Sequence, residues 1–294
     1  MPDPADAPNV AIHLLADASV DLHTHTIFSD GHWQPDALVA HLAERGFRLA
    51  AIADHDRFDH LPAIQAQAAE RGLTLLPAVE VTTNWHGRVA HLLCYAHALP
   101  QQGALARLTA ATRDGMRENN AAVAAELGRR GYAFPRQAEV LAASGGRIER
   151  PIDNARLLVA HGYVATMETA LALIADAGYH IVSAPLAEAV AAAHADGALA
   201  LIAHPGRRDG EVPPYEPELL ATLLDELPLD GIEAYYAVHT PEQTAAYLAL
   251  ARQRGLLVSA GSDSHGPRQR LPIAYPARDV AALLERLGLG PSCY

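Results

Sequence analysis

The chain has 294 residues, 50% hydrophobic and 19% charged, which supports a large folded core and excludes global disorder. A formal net charge of −12 excludes a broadly basic nucleic-acid surface, though not a local cationic pocket. Two cysteines, Cys94 and Cys293, make neither a disulfide framework nor a thiolate metal site.

Residues 1–9 are rich in Pro and Asp and lack the basic start of a signal peptide. No apolar run reaches the roughly 18 residues of a spanning helix, so no membrane partner and a cytoplasmic location are expected. Residues 1–18 read as an N-terminal extension. The first strand follows at Val20-Asp-Leu-His-Thr-His25. Alternate strand residues share a face, so His23 and His25 point the same way. A lone His-x-His strand serves a packed core as readily as it serves a metal. Asp30 follows on the next loop.

Residues 35–45 carry Leu38, Val39 and Leu42 at helical spacing and stop at Gly46, and 49–53 read as a buried strand. The unit repeats over 61–71, Gly72 and 75–81, and again over 245–254, Gly255 and 256–260. Glycine just past a helix accepts the left-handed conformation that ends it. Apolar strands alternating with helices predict parallel βαβ units. Further strands are expected at 89–95, 198–203 and 231–236, enough for barrel-like closure. From 103 to 194 the chain is Ala-rich and helical, with breaks near Gly145-Gly146 and Pro151. It reads as an inserted cap subdomain between barrel segments 19–102 and 195–294.

Nearly every predicted strand brings an ionisable residue to or near its carboxyl end. After His23 and His25 come Asp54-His55-Asp56, Glu80, His91, His204 in Ala-His-Pro-Gly206, and Asp263-Ser-His265. Such groups are costly beside buried strands unless they bind something, and this is the face where parallel barrels build active sites. Independent structural histidines would not collect there, which points to a metal cluster. Other histidines carry no motif. His41 and His60 are expected on exposed helix surfaces, and His97, His180 and His194 are read as structural. His239 is a candidate to line the pocket.

The stretches Asp21-Leu-His-Thr-His-Thr-Ile-Phe-Ser-Asp-Gly31, Ala53-Asp-His-Asp56, Glu80-Val-Thr82, His91-Leu-Leu93, Ala203-His-Pro-Gly-Arg207 and Gly261-Ser-Asp-Ser-His265 together resemble the PHP (polymerase and histidinol phosphatase) family of metal-dependent phosphoesterases. The likeness is greatest to the branch acting on nucleoside 3′,5′-bisphosphates and short oligonucleotides, which carries a helical insertion before His-Pro-Gly. The resemblance implies a distorted (β/α)7 barrel, TIM-barrel-like, holding two to three divalent cations. His23, His25, Glu80 and Asp263 would hold the first, Glu80 with His91 and His204 the second, and Asp30, His55 and His265 the third. An all-N/O ligand set suits Mn²⁺, Fe²⁺ or Zn²⁺, and the resemblance leans to Mn²⁺ or Fe²⁺.

The expected activity is hydrolysis of a phosphate monoester of a small nucleotide. Asp56 or His265 would assist proton transfer, with a ligand role favoured for His265, and Arg207 would contact the phosphate. Arginine suits bidentate phosphate binding. Arg208, the pair Arg113 and Arg117 one helical turn apart, and Arg150 and Arg156 around Pro151 are the other candidates, one or two of which would clamp a second phosphate. Relatives usually read Arg-Pro-His-Ile-Ala-Arg there. This chain reads Arg150-Pro-Ile-Asp-Asn-Ala-Arg156, which leaves the substrate open. Alternatives are a 5′–3′ exonuclease on short RNA or DNA, a cyclic phosphodiesterase, a histidinol-phosphate phosphatase, an amide or lactone hydrolase, and a non-catalytic binding module. Duplex nucleic acid is not an expected partner.

Overall fold

The computed structural model describes residues 14–142, 146–208 and 214–290. Most of the expected N-terminal extension, Gly145 and Cys293 lie outside them. In chain order the strands are β1 (Ser19–Thr24), β2 (Phe47–Ile52), β3 (Thr74–Trp85), β4 (Arg88–Tyr95), β5 (Ala184–Pro185), β6 (Leu199–Ile202), β7 (Gly231–Tyr236), β8 (Leu257–Gly261) and β9 (Tyr275–Pro276). The helices are α1 (Pro35–Glu44), α2 (Leu61–Glu70), α3 (Ala104–Arg129), α4 (Gln137–Val140), α5 (Pro151–Ala160), α6 (Met167–Asp176), α7 (Leu186–Ala195), α8 (Pro217–Glu226), α9 (Pro241–Arg254) and α10 (Ala281–Arg286).

One sheet runs β8-β7-β6-β4-β3-β2-β1-β9, with short β5 beside β3. Its ends curl together. The Asp263 N–H donates to the His23 carbonyl at 2.8 Å and the His25 N–H to the Ser264 carbonyl at 2.9 Å, closing β1 against β8 into the expected barrel. Asp21 reinforces this seam, accepting backbone N–H groups from Ser262 at 3.0 Å and Ile273 at 2.9 Å.

The expectation of wholly parallel units fails at β4, which runs antiparallel to both β3 and β6. His86 and Gly87, both at positive φ (50° and 79°), make the two-residue turn whose twist matches a hairpin. A connection this short cannot cross over to a parallel strand. Glu80 therefore sits inside a 12-residue strand, and His91 lies opposite Thr82 on the returning one. Neither stands at a carboxyl end.

Side-chain alternation sorts the core. On β2, Leu49 and Ala51, with Ala53 just past its end, join one apolar cluster while Ala50 and Ile52 join another. Leu76 and Ala78 of β3, Leu93 and Tyr95 of β4, and Leu199 and Leu201 of β6 belong with Leu49. Glu80 and His91 continue the faces of Ala78 and Leu93, so an apolar barrel floor lies beneath an ionisable mouth.

The segment 103–194 divides by core membership. Leu105 of α3 and Leu186, Ala189 and Val190 of α7 pack into the barrel's outer layer. Val123 and Leu127 of α3 join Leu158, Ala170 and Ile174 in a separate core. The start of α3 is clamped by Asp196, which accepts the N–H groups of Ala104 and Leu105 at 2.9 and 2.8 Å. A Cβ on Gly103 would fall 2.2 Å from that carboxylate, so a larger residue there would displace the clamp.

Candidate metal centre

At the barrel mouth His23 Nε2 lies 3.0 Å from His25 Nε2 and 3.0 Å from Glu80 Oε2. His25 Nε2 is 3.1 Å from Glu80 Oε2 and 3.2 Å from Asp263 Oδ1, which is 3.6 Å from His23 Nε2. Ligands about 2.1 Å from one cation stand roughly 3.0–3.4 Å from each other, so these spacings fit a shared ion. The other Glu80 oxygen, Oε1, lies 3.0 Å from His91 Nδ1 and 2.9 Å from His204 Nε2. At the outer edge His265 Nε2 is 3.0 Å from Asp30 Oδ2.

His55 Nε2 stands between the groups, 3.4 Å from Glu80 and 3.8 Å from Asp30. His25 likewise reaches both ways, its Nδ1 lying 3.7 Å from Asp30. All the predicted ligands thus meet in one continuous cluster around Glu80. His25 and His55 each face two of its groups, where the resemblance assigns each to a single ion. Buried His25 Nδ1, His204 Nδ1 and Asp263 Oδ1 have no hydrogen-bond partner. Unsatisfied buried donors and acceptors of this kind, all N and O, fit divalent cations.

The backbone is strained to build this mouth. Asp56, His204 and Asp263 adopt φ of 52°, 27° and 54°, a region costly for residues with a Cβ and concentrated at functional sites. Electrostatics compensate. Burial opposes ionisation of Glu80 and Asp263, yet the surrounding histidines hold both carboxyls well below their usual range. Burial likewise opposes protonation of His25, but Asp263 and Glu80 push it up to about 10, and His23 also rises well above normal.

One organising residue, Glu233, was not singled out from sequence. Buried Glu233 on β7 accepts His23 Nδ1–H at 3.1 Å through Oε1 and the His204 N–H at 2.8 Å through Oε2. One carboxylate thereby splints two predicted ligands and leaves His23 Nε2 as the lone-pair atom facing the cluster. Its signal was a lone acid within the apolar run Gly231-Ile-Glu-Ala234. Asp54 gathers the loop before Asp30, accepting from the Thr26 N–H at 2.7 Å and the Ser29 hydroxyl at 2.6 Å. His60, expected to be exposed, is buried, with Nε2 2.8 Å from Asp54 Oδ2. His41 is half-buried against the Trp33 ring, at 5.3 Å between centroids.

A cavity of about 940 Å³ opens above the cluster. Asp30, His55, Asp56, His91, Asp263 and His265 line its floor, and Arg113, Arg150, Arg207 and Arg270 its walls. Phe28, Met116, Ile152, Leu171 and Ile181 form an apolar side, mostly from the segment 103–194. Arg207 donates to Asp263 Oδ2 at 3.3 Å, and Tyr236 donates to the same oxygen at 3.1 Å. Arg270 in turn donates to the Tyr236 hydroxyl at 3.3 Å. Arg113 donates to the Asp56 carbonyl, tying α3 to the barrel mouth. Asp56 Oδ1 accepts the Thr82 N–H at 3.0 Å, its Oδ2 has no partner, and burial pushes its carboxyl up to about 7.

Four of the arginine and histidine candidates lie outside the lining of this cavity. Arg117, half-exposed, pairs with Asp114 one turn away and does not line the cavity. Arg208 pairs with Glu216 on the surface. His239 does not line the cavity either; its Nδ1 is 3.0 Å from the Ala234 carbonyl and its Nε2 accepts the Gly206 N–H at 3.0 Å. Both ring nitrogens are used in bracing the His-Pro-Gly loop. Arg156 lies outside the cavity wall, its guanidinium 3.2 Å from His32 Nε2. Arg150 does reach the cavity, held by Asp153 at 3.0 Å. Asp153 also accepts the Arg150 N–H at 2.8 Å at the start of α5. The residues that depart from the relatives' motif thus cap the helix and fix the arginine.

Comparison with known proteins decides the family: residues 21–227 match the PHP domain model. The chain belongs to the PHP domain family. Among its PHP relatives is the 3′,5′-nucleoside bisphosphate phosphatase of Chromobacterium violaceum, 31% identical over 85% of this chain and 88% of that protein. The 5′-3′ exoribonuclease Rnm of Salmonella typhimurium is 29% identical over 84% and 85% of the two chains. A solved structure described as a metal-dependent phosphoesterase from Bifidobacterium adolescentis superposes with a TM-score of 0.72 at 27% identity, covering 94% of this chain and 97% of that one. Among the described residues, no helix of this PHP protein is long and apolar enough to cross a membrane.

Proposed function

We propose that this PHP protein hydrolyses the 3′-phosphate of a nucleoside 3′,5′-bisphosphate, giving the 5′-monophosphate and inorganic phosphate, in the cytoplasm. The carrying observation is the Glu80-centred cluster, with unsatisfied ligand atoms, at the floor of a cavity walled by four arginines. His23, His25, Asp30, His55, Glu80, His91, His204, Asp263 and His265 would hold two to three ions, Mn²⁺ or Fe²⁺ by resemblance and Zn²⁺ by ligand chemistry. When bound, such ions acidify the attacking water and neutralise charge on the phosphoryl oxygens.

The chain's own groups do the rest. Arg207, anchored on Asp263, aims a guanidinium at the phosphate over the cluster. Water attacks phosphorus, the P–O3′ bond breaks, and the departing ribose oxygen takes a proton. Asp56, with an unpartnered Oδ2 and a carboxyl raised to about 7, suits that transfer near neutral pH. Arg113 and Arg150 would hold the 5′-phosphate, and the apolar side contributed by the insertion would hold the nucleoside. This makes the insertion the substrate-selecting unit.

Exonuclease action on a short oligonucleotide is the second reading. It breaks the same P–O3′ bond, with the phosphorus carrying a further nucleotide. The cavity, near the upper end of the roughly 300–1,000 Å³ typical of ligand sites, favours keeping it. Turnover of adenosine 3′,5′-bisphosphate by the Mn²⁺-loaded protein, measured beside that of a 5′-phosphorylated trinucleotide, tests both. No release of phosphate or nucleotide from either would overturn the reading.

A further inference from the structure

A second cavity, of about 420 Å³, adjoins the first and is lined by His32, Gly266, Pro267, Arg268 and Gln269. His32 and Gln269 line both cavities. Gly266 directly follows His265, so this notch begins one residue from the cluster. No carboxylate lines it, although the chain carries a net charge of −12.

Helix α5 brings a further cation beside His32, at the edge of this lining. Ile152 faces the main cavity, and one turn later Arg156 reaches His32 Nε2 at 3.2 Å. A guanidinium can only donate, so His32 Nε2 accepts and the ring proton sits on Nδ1, an N–H available to an acceptor. Arg156 commits one of its five N–H groups to this contact. Neither Arg156 nor Arg268 forms an ion pair among the described residues, whereas Arg150, six residues before Arg156 at the start of α5, is paired with Asp153.

We propose that Arg156, His32 and Arg268 form a phosphodiester subsite, which takes the phosphate one nucleotide beyond the scissile bond of a short single-stranded oligonucleotide. The proposal rests on the phosphoesterase reading above. The notch adjoins His265, so a strand with its 5′-phosphate on Arg113 and Arg150 and its scissile phosphorus over the cluster would meet it on continuing past His265. A mononucleotide bisphosphate has no phosphate to place there. The acidic remainder of the surface disfavours a long strand, so the subsite extends the substrate by a nucleotide or so.

The test is steady-state kinetics of the Mn²⁺-loaded full chain on adenosine 3′,5′-bisphosphate and on 5′-phosphorylated triadenylate, at two salt concentrations. Arg268→Glu is expected to raise KM for the trinucleotide about tenfold and to leave that for the bisphosphate within about twofold, since a charge-assisted phosphate contact contributes about 1.5–3 kcal/mol. Arg156→Ala should raise the trinucleotide KM more than the bisphosphate KM. Both variants should flatten the salt dependence of trinucleotide turnover, by roughly 0.7 in log–log slope per lost contact. The subsite is overturned if wild type cleaves the trinucleotide and neither variant alters its KM, or if both substrates shift together. It is also overturned if wild type cleaves the bisphosphate alone, a result that leaves the phosphatase reading intact. Cleavage of neither substrate sinks that reading itself.

Discussion

The barrel mouth and the wall built by the segment 103–194 meet in one cavity but are built in opposite ways. At the mouth, donor atoms sit on or beside strands, largely buried, and are fixed by further buried groups: Glu233 splints His23 and His204, and Asp54 gathers the loop before Asp30. On the wall, Arg113 and Arg150 project from a helix and a helix start, the first donating to the Asp56 carbonyl and the second paired with Asp153. On the proposed reading, chemistry that needs fixed charge separations sits on rigid strands, and substrate fit falls to a segment with its own small core.

That contrast sets the sizes of effect expected from substitutions. Removing a mouth residue should be most damaging. Asp263→Asn or His204→Ala is expected to lower kcat by about three orders of magnitude or more if bound ions supply the transition-state stabilisation, while circular dichroism and thermal unfolding still report a folded chain. Near-normal turnover in either variant would erase the distinction between mouth and wall.

Glu233→Gln comes next. A glutamine offers one acceptor where the carboxylate offers two, so it cannot accept from both His23 Nδ1–H and the His204 N–H. Mn²⁺ affinity, read by calorimetry, should fall about 10–100-fold. Affinity equal to wild type would show that the splint does not position the ligands.

Arg113→Ala probes the wall. KM for the bisphosphate should rise about tenfold with kcat little changed, as for a lost charge-assisted contact. A large fall in kcat with KM constant would instead move Arg113 into the chemistry. Arg117→Ala and Arg208→Ala should change KM by less than about twofold, because exposed ion pairs contribute about 0–1 kcal/mol.

Legibility in the sequence follows the same division. Strand alternation, and the cost of ionisable groups near buried strands, expose His23, His25, Glu80, His204 and Asp263 from local pattern alone. The β3–β4 hairpin was also present locally, as His86-Gly87, but apolar strands separated by glycines read equally well as parallel units. Wall residues are harder. Arg113 and Arg117 look alike on one helix, and only packing against the barrel turns the first toward Asp56 and the second toward Asp114. Arg270 and Glu233 are met through partners distant in sequence, and His60 was misjudged because its counter-charge, Asp54, lies beneath the helix start. Identity of the bound ions and the span of the substrate are set by distances that no spacing rule encodes.

The central claim is that these residues converge to cage cations in place of protons, and Mn²⁺ titration of the chelator-treated protein tests it most directly. Calorimetry in buffers of differing ionisation enthalpy should show two to three ions bound, with protons released as they enter. Because His23 and His25 are held protonated above their ordinary pKa in the cation-free cluster, affinity should weaken as pH falls. Binding of no ion at neutral pH, together with phosphate release that persists in excess chelator, would contradict the account.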